Sequence, residues 1–298
     1  MNVHIFGSSS LVGLSYSNLL DKSGIYSNIF KYSSSKESKI YCDLRDKNTY
    51  KFLEKDCPSL IISFAPIWLF SKYINELFYK NCDIFSKVKG FIICSSSSSL
   101  TKRFSANEFD KNLSKKLSGA EESIIELTNN IDKRCIIIQP SLIYGNISKK
   151  KDKNISKIIQ LIKFLPLIIL PKDTGLRQPI HINQLASVFL HYSEEISNSR
   201  NVGKFHSTKK LVGGNEEISY YQMIKMVMAN LKGKNITVNC KLITIPNRLF
   251  LFLFSPLIIF SPKWFSAIER ISADLSNFEK VNKIIKGEIK SFPVEPFG

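Results

Sequence analysis

The sequence lacks the features that mark several classes of protein. Its 298 residues include only 13 glycines and 11 prolines, too few for a collagen-like or low-complexity chain. The six cysteines form no CxxC pair and have no neighbouring run of histidines, so we expect reduced thiols and no metal site. The apolar share of 44% is ordinary for a folded protein, and the length suffices for one large domain or for one domain with a smaller appendage.

A long hydrophobic run is also missing. The longest apolar stretch, Leu249 to Phe260, is interrupted by Ser255-Pro256 and flanked by Arg248 and Lys263. A helix that spans a bilayer needs roughly 20 apolar residues, so this stretch predicts either a core helix of a C-terminal subdomain or a patch that lies on the inner leaflet. The first residues contain no basic segment followed by an apolar region and a cleavage site, which favours a cytoplasmic protein.

Negative charge is scarce. There are 42 Lys and Arg residues against 25 Asp and Glu residues, a net charge of +17. Apart from Lys149–Lys151, the lysines come singly or in pairs, and no nucleic-acid-binding motif accompanies them. We therefore interpret the charge as a solvated basic surface with no nucleic-acid partner, and keep peripheral contact with an anionic membrane as the alternative.

The sequence does contain an alternation of short apolar runs and longer amphipathic stretches. The apolar runs predict five buried strands: Val3–Phe6, Asn28–Tyr32, Leu60–Phe64, Gly90–Cys94 and Cys135–Ile138. The stretches between them predict four helices: Leu11–Leu20, Lys47–Leu53, Trp68–Tyr79 and Ala120–Asn129. This alternation predicts an α/β fold with a parallel sheet between helices, and ligands bind at the carboxyl ends of the strands in such sheets.

The pattern changes after about residue 150. Ile155–Leu165 predicts a helix that Pro166 ends, and Leu167–Leu170 is another apolar run. Tyr220–Leu231 predicts an amphipathic helix, with Ser219 as its N-cap.

A glycine-rich turn follows the first predicted strand. Gly7 and Gly13 flank a run of serines, and Ser10, Leu11 and Val12 stand where the first helix begins. A glycine after a strand permits a sharp turn, small residues let the backbone approach a diphosphate, and a helix N-terminus offers free N–H groups. The turn predicts a dinucleotide site, although similar turns also occur without a nucleotide.

Further motifs follow in a fixed order. They are Asp43-Leu44, Ala65, the serine run Ser95–Ser99 after the fifth strand, Gln139–Gly145, Arg177–Ala186 and Gly213–Ser219. Together with the turn they resemble the motifs of the extended short-chain dehydrogenase/reductases, the NAD-dependent sugar epimerase and dehydratase group. Gly7 and Gly13 match the first and third glycines of that family's turn, while Phe6 and Ser10 replace its threonine and its middle glycine.

The resemblance implies a Rossmann-like, doubly wound parallel sheet with a smaller C-terminal α/β substrate subdomain. It places an NAD(P)-binding domain at residues 1–165, with the sheet completed by about 178–206, and a mainly substrate-binding subdomain at 166–298. The implied cofactor is NAD or NADP, with these contacts: Gly7, Ser10, Leu11, Val12, Asp43, Leu44, Ala65, Ser95 and Pro140.

The resemblance also implies a nucleotide-sugar substrate, a UDP-hexose or UDP-N-acetylhexosamine, handled by a 4-epimerase type of chemistry in cell-envelope polysaccharide synthesis. Tyr144, Arg177 and His181 match positions that line the sugar cleft in relatives. The alternatives are a surface charge for Arg177 and a hydrogen-bonded structural role for His181. Relatives often form homodimers through two helices, which the stretches Trp68–Tyr79 and Ala120–Asn129 would supply.

One departure concerns the catalytic pair. The family uses a Tyr-x-x-x-Lys pair for proton transfer, but no tyrosine lies between Tyr79 and Tyr144. Lys116 is the candidate lysine, which leaves Asn112 at the tyrosine position, and asparagine cannot act as a base. The alternative for Lys116 is an exposed charge.

The remaining candidates for the chemistry are a serine and a distant tyrosine. Ser97 matches the residue that hydrogen-bonds the substrate, and a serine without an activating partner orients a hydroxyl but does not deprotonate it. Tyr144 is a hypothetical replacement for the missing base. A catalytically silent NAD(P)-binding regulator or scaffold is therefore the second hypothesis for the whole protein.

A second departure bears on the choice of cofactor. The end of the second strand, Lys31–Lys36, has no acid to accept hydrogen bonds from a ribose 2′-OH. This favours NADP, or the use of either cofactor.

Overall fold

The computed structural model describes residues 1–51, 57–105, 107–148, 150–199, 207–236, 238–257, 261–287 and 289–297. Its strands are β1 (Asn2–Phe6), β2 (Asn28–Ser33), β3 (Ile40–Tyr41), β4 (Ser59–Ser63), β5 (Val88–Cys94), β6 (Arg134–Pro140), β7 (Ile143–Tyr144), β8 (Asn146–Ile147), β9 (Lys150–Lys151), β10 (Leu167–Pro171), β11 (Leu176–Arg177), β12 (Ile180–His181), β13 (Thr208–Gly213), β14 (Ile218–Ser219), β15 (Lys241–Ile245) and β16 (Glu279–Lys280). Its α-helices are α1 (Leu11–Ser23), α2 (Ile67–Lys80), α3 (Ser98–Thr101), α4 (Glu108–Asn130), α5 (Ile155–Phe164), α6 (Ile182–Asn198), α7 (Tyr220–Gly233), α8 (Asn247–Phe254), α9 (Pro262–Ser272) and α10 (Val281–Ile284).

Eight strands form one parallel sheet in the order β16-β13-β6-β5-β4-β1-β2-β3. The central strands are buried on both faces, which is why they read as continuous apolar runs in the sequence. The range 178–206, expected to complete the sheet, contributes the flanking helix α6, and the strands that extend the sheet are β13 and β16. The predicted α/β fold with a doubly wound parallel sheet is confirmed.

Two hydrophobic layers cover the sheet. Alternate residues of β1 point to opposite faces: Val3 and Ile5 pack with α1 and α6, whereas Phe6 packs with α2 and α4. All five predicted strands are present, and each observed end lies within two residues of the predicted one.

Two of the predicted helices differ from those observed. Helix α4 begins at Glu108, twelve residues before the predicted start, because Asn107 caps it by accepting a hydrogen bond from the Phe109 N–H at 2.8 Å. The stretch Lys47–Leu53 forms only a 3₁₀ turn at Lys47–Thr49, and residues 52–53 lie outside the described part of the chain.

A smaller core follows after residue 150, where α5, α7 and the strand pair β10–β15 pack together. The helices predicted at Ile155–Leu165 and Tyr220–Leu231 are both present. Ser219 caps α7, and Gln222 bonds back to the backbone N–H of Ser219.

The apolar stretch Leu249–Phe260 is not a core helix where it is described. Its residues 249–254 lie in α8, which buries Phe250, whereas Leu249, Phe252 and Leu253 are exposed; residues 258–260 lie outside the described residues. Among the described helices, none is both long enough and apolar enough to cross a membrane.

Candidate functional site

The turn after β1 is built by close backbone approaches. Gly7 has φ +69°, and a Cβ on it would lie 2.5 Å from the backbone nitrogen of Ala65 at the end of β4. A Cβ on Gly13 would lie 2.4 Å from the Gly7 carbonyl oxygen. Both glycines are thus required by the packing of β4 and α1 against the turn.

The first N–H groups of α1 are available to a ligand. Ser10 is the N-cap, and its Oγ accepts a hydrogen bond from the Gly13 N–H at 3.0 Å. The N–H groups of Leu11 and Val12 donate to no atom of the described residues. Because they point out of the positive end of a helix at the carboxyl edge of a parallel sheet, they suit a diphosphate.

A lysine that the sequence analysis did not select lies beside this turn. Strands β8 and β9 form an antiparallel hairpin that brings the Lys150 ammonium into hydrogen-bonding contact with the Ser9 carbonyl. A cation next to the unpaired N–H groups adds to the attraction for an anion. In the sequence Lys150 belongs to a basic loop, with nothing to show which residues it meets.

Serines connect the turn to the end of β2. The Ser33 hydroxyl donates to Ser9 Oγ at 2.6 Å, and the Ser35 N–H donates to Ser33 Oγ at 3.0 Å. A cavity of about 620 Å³ lies alongside, and its charged lining residues are Asp21, Lys31, Glu37 and Lys39. Lys31 is paired with Asp21 at 2.7 Å.

Asp43 and Leu44 follow β3, and the Asp43 carboxylate is already paired with a neighbouring side chain. The Arg45 guanidinium donates to both oxygens of Asp43 and holds the pKa of that carboxyl below its ordinary value. Leu44 is buried. An adenine at this position would meet the Asp43–Arg45 pair.

The serine run lies at the same edge, at the ends of β5 and β6. The N–H of Ser95 donates to the Ile138 carbonyl at 2.8 Å, and that of Ser97 donates to the Pro140 carbonyl at 3.1 Å. The Ser97 hydroxyl is half-buried and bonds to nothing in the part of the chain that the structure describes. The structure thus brings Ser95, Ser97 and Pro140 together.

A buried carboxylate that the sequence analysis missed supports this loop. Glu121 of α4 is 1% exposed and accepts hydrogen bonds from the Ser95 hydroxyl at 2.5 Å and from the Gln139 amide at 2.9 Å. Lys209 supplies the opposite charge at 3.0 Å. Two signals were present: Glu121 interrupts the apolar stripe of a helix, and Gln139 interrupts an apolar strand.

Lys116 is not brought to the serine run. It is exposed on α4, and its ammonium lies 4.4 Å from the centre of the Trp68 ring of α2. Ser114, two residues earlier, donates to the Ser99 carbonyl at 2.6 Å. Because residues two apart on a helix face different directions, Lys116 points away from Ser97.

Tyr144 is held in the smaller core. It is 1% exposed, and its hydroxyl accepts a hydrogen bond from the Val294 N–H at 2.9 Å. Burial raises the pKa of Tyr144 well above its ordinary value. Both facts argue against Tyr144 as the replacement base, because a base needs an accessible group with a pKa near the working pH.

His181 has a structural role. It is the N-cap of α6, where its Nδ1 accepts a hydrogen bond from the Asn183 N–H at 3.3 Å, and Gln184 closes the capping box. Burial lowers the pKa of His181, and the charge of Glu295, whose oxygen lies 3.8 Å from Nε2, opposes that shift.

Arg177 is committed to backbone carbonyls. It is 3% exposed, and its guanidinium donates to the carbonyls of Leu176 at 2.7 Å, of Ala273 at 2.6 Å and of Arg270. These contacts satisfy the C-terminal end of α9. The N–H groups with which the Arg177 guanidinium would bind a diphosphate are therefore used by these carbonyls.

A second buried acid joins the end of α3 to α9 in the C-terminal part of the chain. Asp110 accepts from Lys102 at 2.7 Å and also from Ser266 and Arg270 of α9. Burial alone would raise the pKa of Asp110, but these donors outweigh burial, so the pKa lies below its ordinary value.

Comparison with known proteins gives the fold a context. No family model and no curated protein matches the chain. Solved structures do: a UDP-galactose 4-epimerase matches with TM-score 0.61 and 10% identity over 82% of this chain and 86% of that one.

Two further structures hold cofactors. RMD from Pseudomonas aeruginosa, complexed with NADPH, matches with TM-score 0.56 and 12% identity over 81% and 87% of the two chains. A dTDP-glucose 4,6-dehydratase from Bacillus anthracis str. Ames, in complex with NAD, matches with TM-score 0.53 and 14% identity over 83% and 85%. At these identities the likeness shows that the chain has the fold of nicotinamide-dependent sugar epimerases and dehydratases.

Proposed function

We propose that this protein binds NAD or NADP at the Gly7–Val12 turn and acts on a nucleotide sugar beside it. The observation that carries the proposal is that the N–H groups of Leu11 and Val12 have no acceptor within the described ranges of the chain, at the edge of the sheet where Ser97 and Pro140 also lie. The finer assignment is a UDP-hexose or UDP-N-acetylhexosamine 4-epimerase type of activity in envelope polysaccharide synthesis. It is supported by the order of the motifs and by the shared fold.

The residues present fit a nicotinamide dinucleotide. Leu11 and Val12 would hold its diphosphate, with Lys150 as a nearby cation. The cavity beside the end of β2 is lined by two acids, Asp21 and Glu37, as well as by Lys31 and Lys39, and Lys31 is paired with Asp21. The preference for NADP, or for the use of either cofactor, therefore rests on residues 31–36, which contain no acid. Such a cofactor supplies a site that takes up and returns hydride.

For the sugar, the chain offers positioning groups. The Ser97 hydroxyl, which has no hydrogen-bond partner among the described residues, could donate to or accept from a sugar hydroxyl, and Ser95 is held in place by Glu121. Neither group is a strong base by itself, so turnover requires a proton acceptor from water or from the substrate.

A second candidate function follows from the lack of a strong base. No tyrosine stands on α4, the Tyr144 hydroxyl is bonded to Val294, and Lys116 lies over Trp68. These observations favour a catalytically silent dinucleotide-binding regulator or scaffold, which would keep the cofactor site and lack the proton relay.

Cofactor binding is tested by a matched pair of substitutions at Leu11, the first residue of α1. Proline is tolerated there and removes one N–H group, whereas alanine keeps it. We expect Leu11→Pro to weaken NADPH and NADH binding roughly tenfold or more relative to Leu11→Ala, because a charge-assisted hydrogen bond is lost. The measurement is titration of reduced-cofactor fluorescence. Equal binding by the two variants, or none by the wild type, would remove the proposed site.

Turnover is tested separately. The wild-type protein is incubated with UDP-N-acetylglucosamine and each oxidised cofactor, and the sugars are examined by NMR. A changed configuration at a sugar carbon supports the enzyme, whereas cofactor binding with an unchanged sugar supports the silent protein.

A further inference from the structure

Exposed apolar side chains lie on three segments of the C-terminal part that adjoin β10: the end of α5, helix α8 and strand β15. Helices α5 and α8 both pack against β10, and β15 pairs with β10. We define the apolar patch by six exposed residues at the end of α5, before and at the start of β10, and on α8: Phe164, Leu165, Leu167, Leu249, Phe252 and Leu253.

These side chains are unusually open to solvent. Phe164 is 83% exposed and Phe252 is 77% exposed, and Ile243 of β15 is 40% exposed beside them. Within α8 Phe250 is the one buried residue, so the helix turns an apolar face outward with little covering it. Leu249, Phe252 and Leu253 stand at helical spacings of three and four residues and so share one face of α8. An exposed apolar face of this kind is typical of an interaction surface.

Most of the charged residues around the patch are basic. Residues 153–172 and 238–257, which include the end of α5, β10, β15 and α8, contain no Asp or Glu. They carry Lys163, Lys172, Lys241 and Arg248, all exposed. The nearest acid in sequence, Asp173, is hydrogen-bonded to Asn247 at the start of α8.

We propose that the apolar patch docks this protein on an anionic membrane surface. Apolar side chains would enter the interface between headgroups and acyl chains, while the surrounding Lys and Arg residues meet anionic headgroups. A folded protein partner with an acidic rim, or a second copy of this chain, is the competing occupant. The second copy is disfavoured because the cations around the patch would face cations.

The test is co-sedimentation with vesicles of phosphatidylcholine, with and without phosphatidylglycerol. The wild-type protein is expected to bind the anionic vesicles and to be released by salt. Phe252→Ser with Arg248→Gln removes one exposed aromatic ring and one cation from α8, and is expected to weaken binding by roughly tenfold or more.

A matched control replaces an exposed aromatic residue and a neighbouring cation outside the apolar patch. Tyr79→Ser with Lys80→Gln alters an aromatic ring that is 83% exposed, together with the adjacent exposed lysine at the end of α2, and should bind vesicles like the wild type. If the α8 variant misfolds, Phe164→Ser with Lys163→Gln tests the same surface from α5.

Three results would overturn the proposal. The wild type stays in the supernatant with anionic vesicles, the patch variants bind as well as the control, or the wild type forms a dimer without lipid that the patch variants dissociate. None of these measurements depends on cofactor or sugar.

Discussion

The two ends of the sheet's carboxyl edge use their polar groups in opposite ways. At the β1 end, the N–H groups of Leu11 and Val12 are left open to a ligand. At the β5–β6 end, Glu121 takes hydrogen bonds from Ser95, Gln139 and Lys209. The first end is arranged to bind an anion, whereas the second is stabilised by its own side chains and offers a substrate little more than the Ser97 hydroxyl.

Dinucleotide binding and proton transfer make different demands on the chain. A dinucleotide site needs backbone groups and glycines, which survive changes in nearby side chains. Proton transfer needs one particular side chain with a suitable pKa at one point. The turn of this chain has the glycines and the helix N-terminal N–H groups that such a site uses, whereas Lys116 lies over Trp68 and the Tyr144 hydroxyl accepts a hydrogen bond from Val294. Cofactor binding and turnover are therefore separate predictions.

The largest expected effect is at Gly7. Gly7→Ala places a Cβ 2.5 Å from the Ala65 nitrogen at φ +69°, so we expect a loss of about 3 kcal/mol in the free energy of unfolding and loss of cofactor binding. The control is Gly24→Ala at φ +62°, where no atom lies within 4 Å; it should cost about 1 kcal/mol. Equal losses in thermal unfolding would show that the turn is not tightly packed.

Acid should lower the free energy of unfolding in two different pH ranges, one set by His4 and the other by Asp110. Burial lowers the pKa of His4, which lies in β1 before the Gly7 turn, from 6.5 to about 4. The unfolded chain therefore binds this proton more readily, and stability present above pH 6.5 is lost as the pH falls towards 4, by about 3 kcal/mol at most. His4→Phe, which keeps the ring stacking on Phe30, should flatten this window in urea unfolding.

Asp110 supplies the contrast at the other end. Its pKa lies below the ordinary 3.8, so its stabilising effect is present above that pH and is lost only as the pH falls through the lowered pKa. Asp110→Asn should leave the shape of the profile between pH 6.5 and 4 unchanged. If the stability of the Asp110→Asn variant depended less on pH between 6.5 and 4 than that of the wild type, the assignment of this pH range to His4 would be contradicted.

A smaller effect is expected at Glu121. In Glu121→Gln the amide keeps one acceptor oxygen and loses the charge that meets Lys209, so we expect a loss of about 2 kcal/mol, with cofactor affinity nearly unchanged. The exposed neighbour Glu122→Gln is the control, expected within about 0.5 kcal/mol of the wild type. A strong loss of cofactor affinity in Glu121→Gln alone would mean that the two ends are coupled.

Tyr144→Phe should cost about 1 kcal/mol, because the Val294 N–H loses its acceptor. Any turnover of a nucleotide sugar should persist, since the hydroxyl is buried in the smaller core. Abolished turnover in a variant of near-normal stability would restore Tyr144 as the base.

The smallest effect is expected for Lys116→Gln, which removes only a surface cation over Trp68. Its stability should change by about 0.5 kcal/mol or less, and its cofactor affinity should match that of Lys115→Gln. A selective loss of turnover would return Lys116 to the catalytic machinery.

Some expectations stay predictions. The division into 1–165 and 166–298, the homodimer, the cytoplasmic location and the choice of UDP-sugar rest on the resemblance of motifs. The described helices α2 and α4 do pack against each other, as a dimer through that face would require of each subunit.

The sequence by itself determined the order of strands β1, β2, β4, β5 and β6 and of helices α1, α2, α4, α5 and α7, together with the turn at Gly7–Gly13 and the cap at Ser219. Each depends on residues close along the chain, where apolar periodicity and local hydrogen bonds decide the conformation. Gly7, Ser10, Leu11 and Val12 could be assigned to one site because they are nearly consecutive.

Only the tertiary structure decided what the isolated polar residues do. Arg177 meets Ala273, Tyr144 meets Val294 and Ser95 meets Glu121, pairs that lie far apart in sequence. Their roles follow from which buried donor or acceptor needs a partner, and that need arises only when distant elements pack. The place of Lys116 could not be predicted for a related reason. The packing of α4 on the sheet decides which face of this helix meets the serine run, and the local sequence does not specify the rotation of the helix.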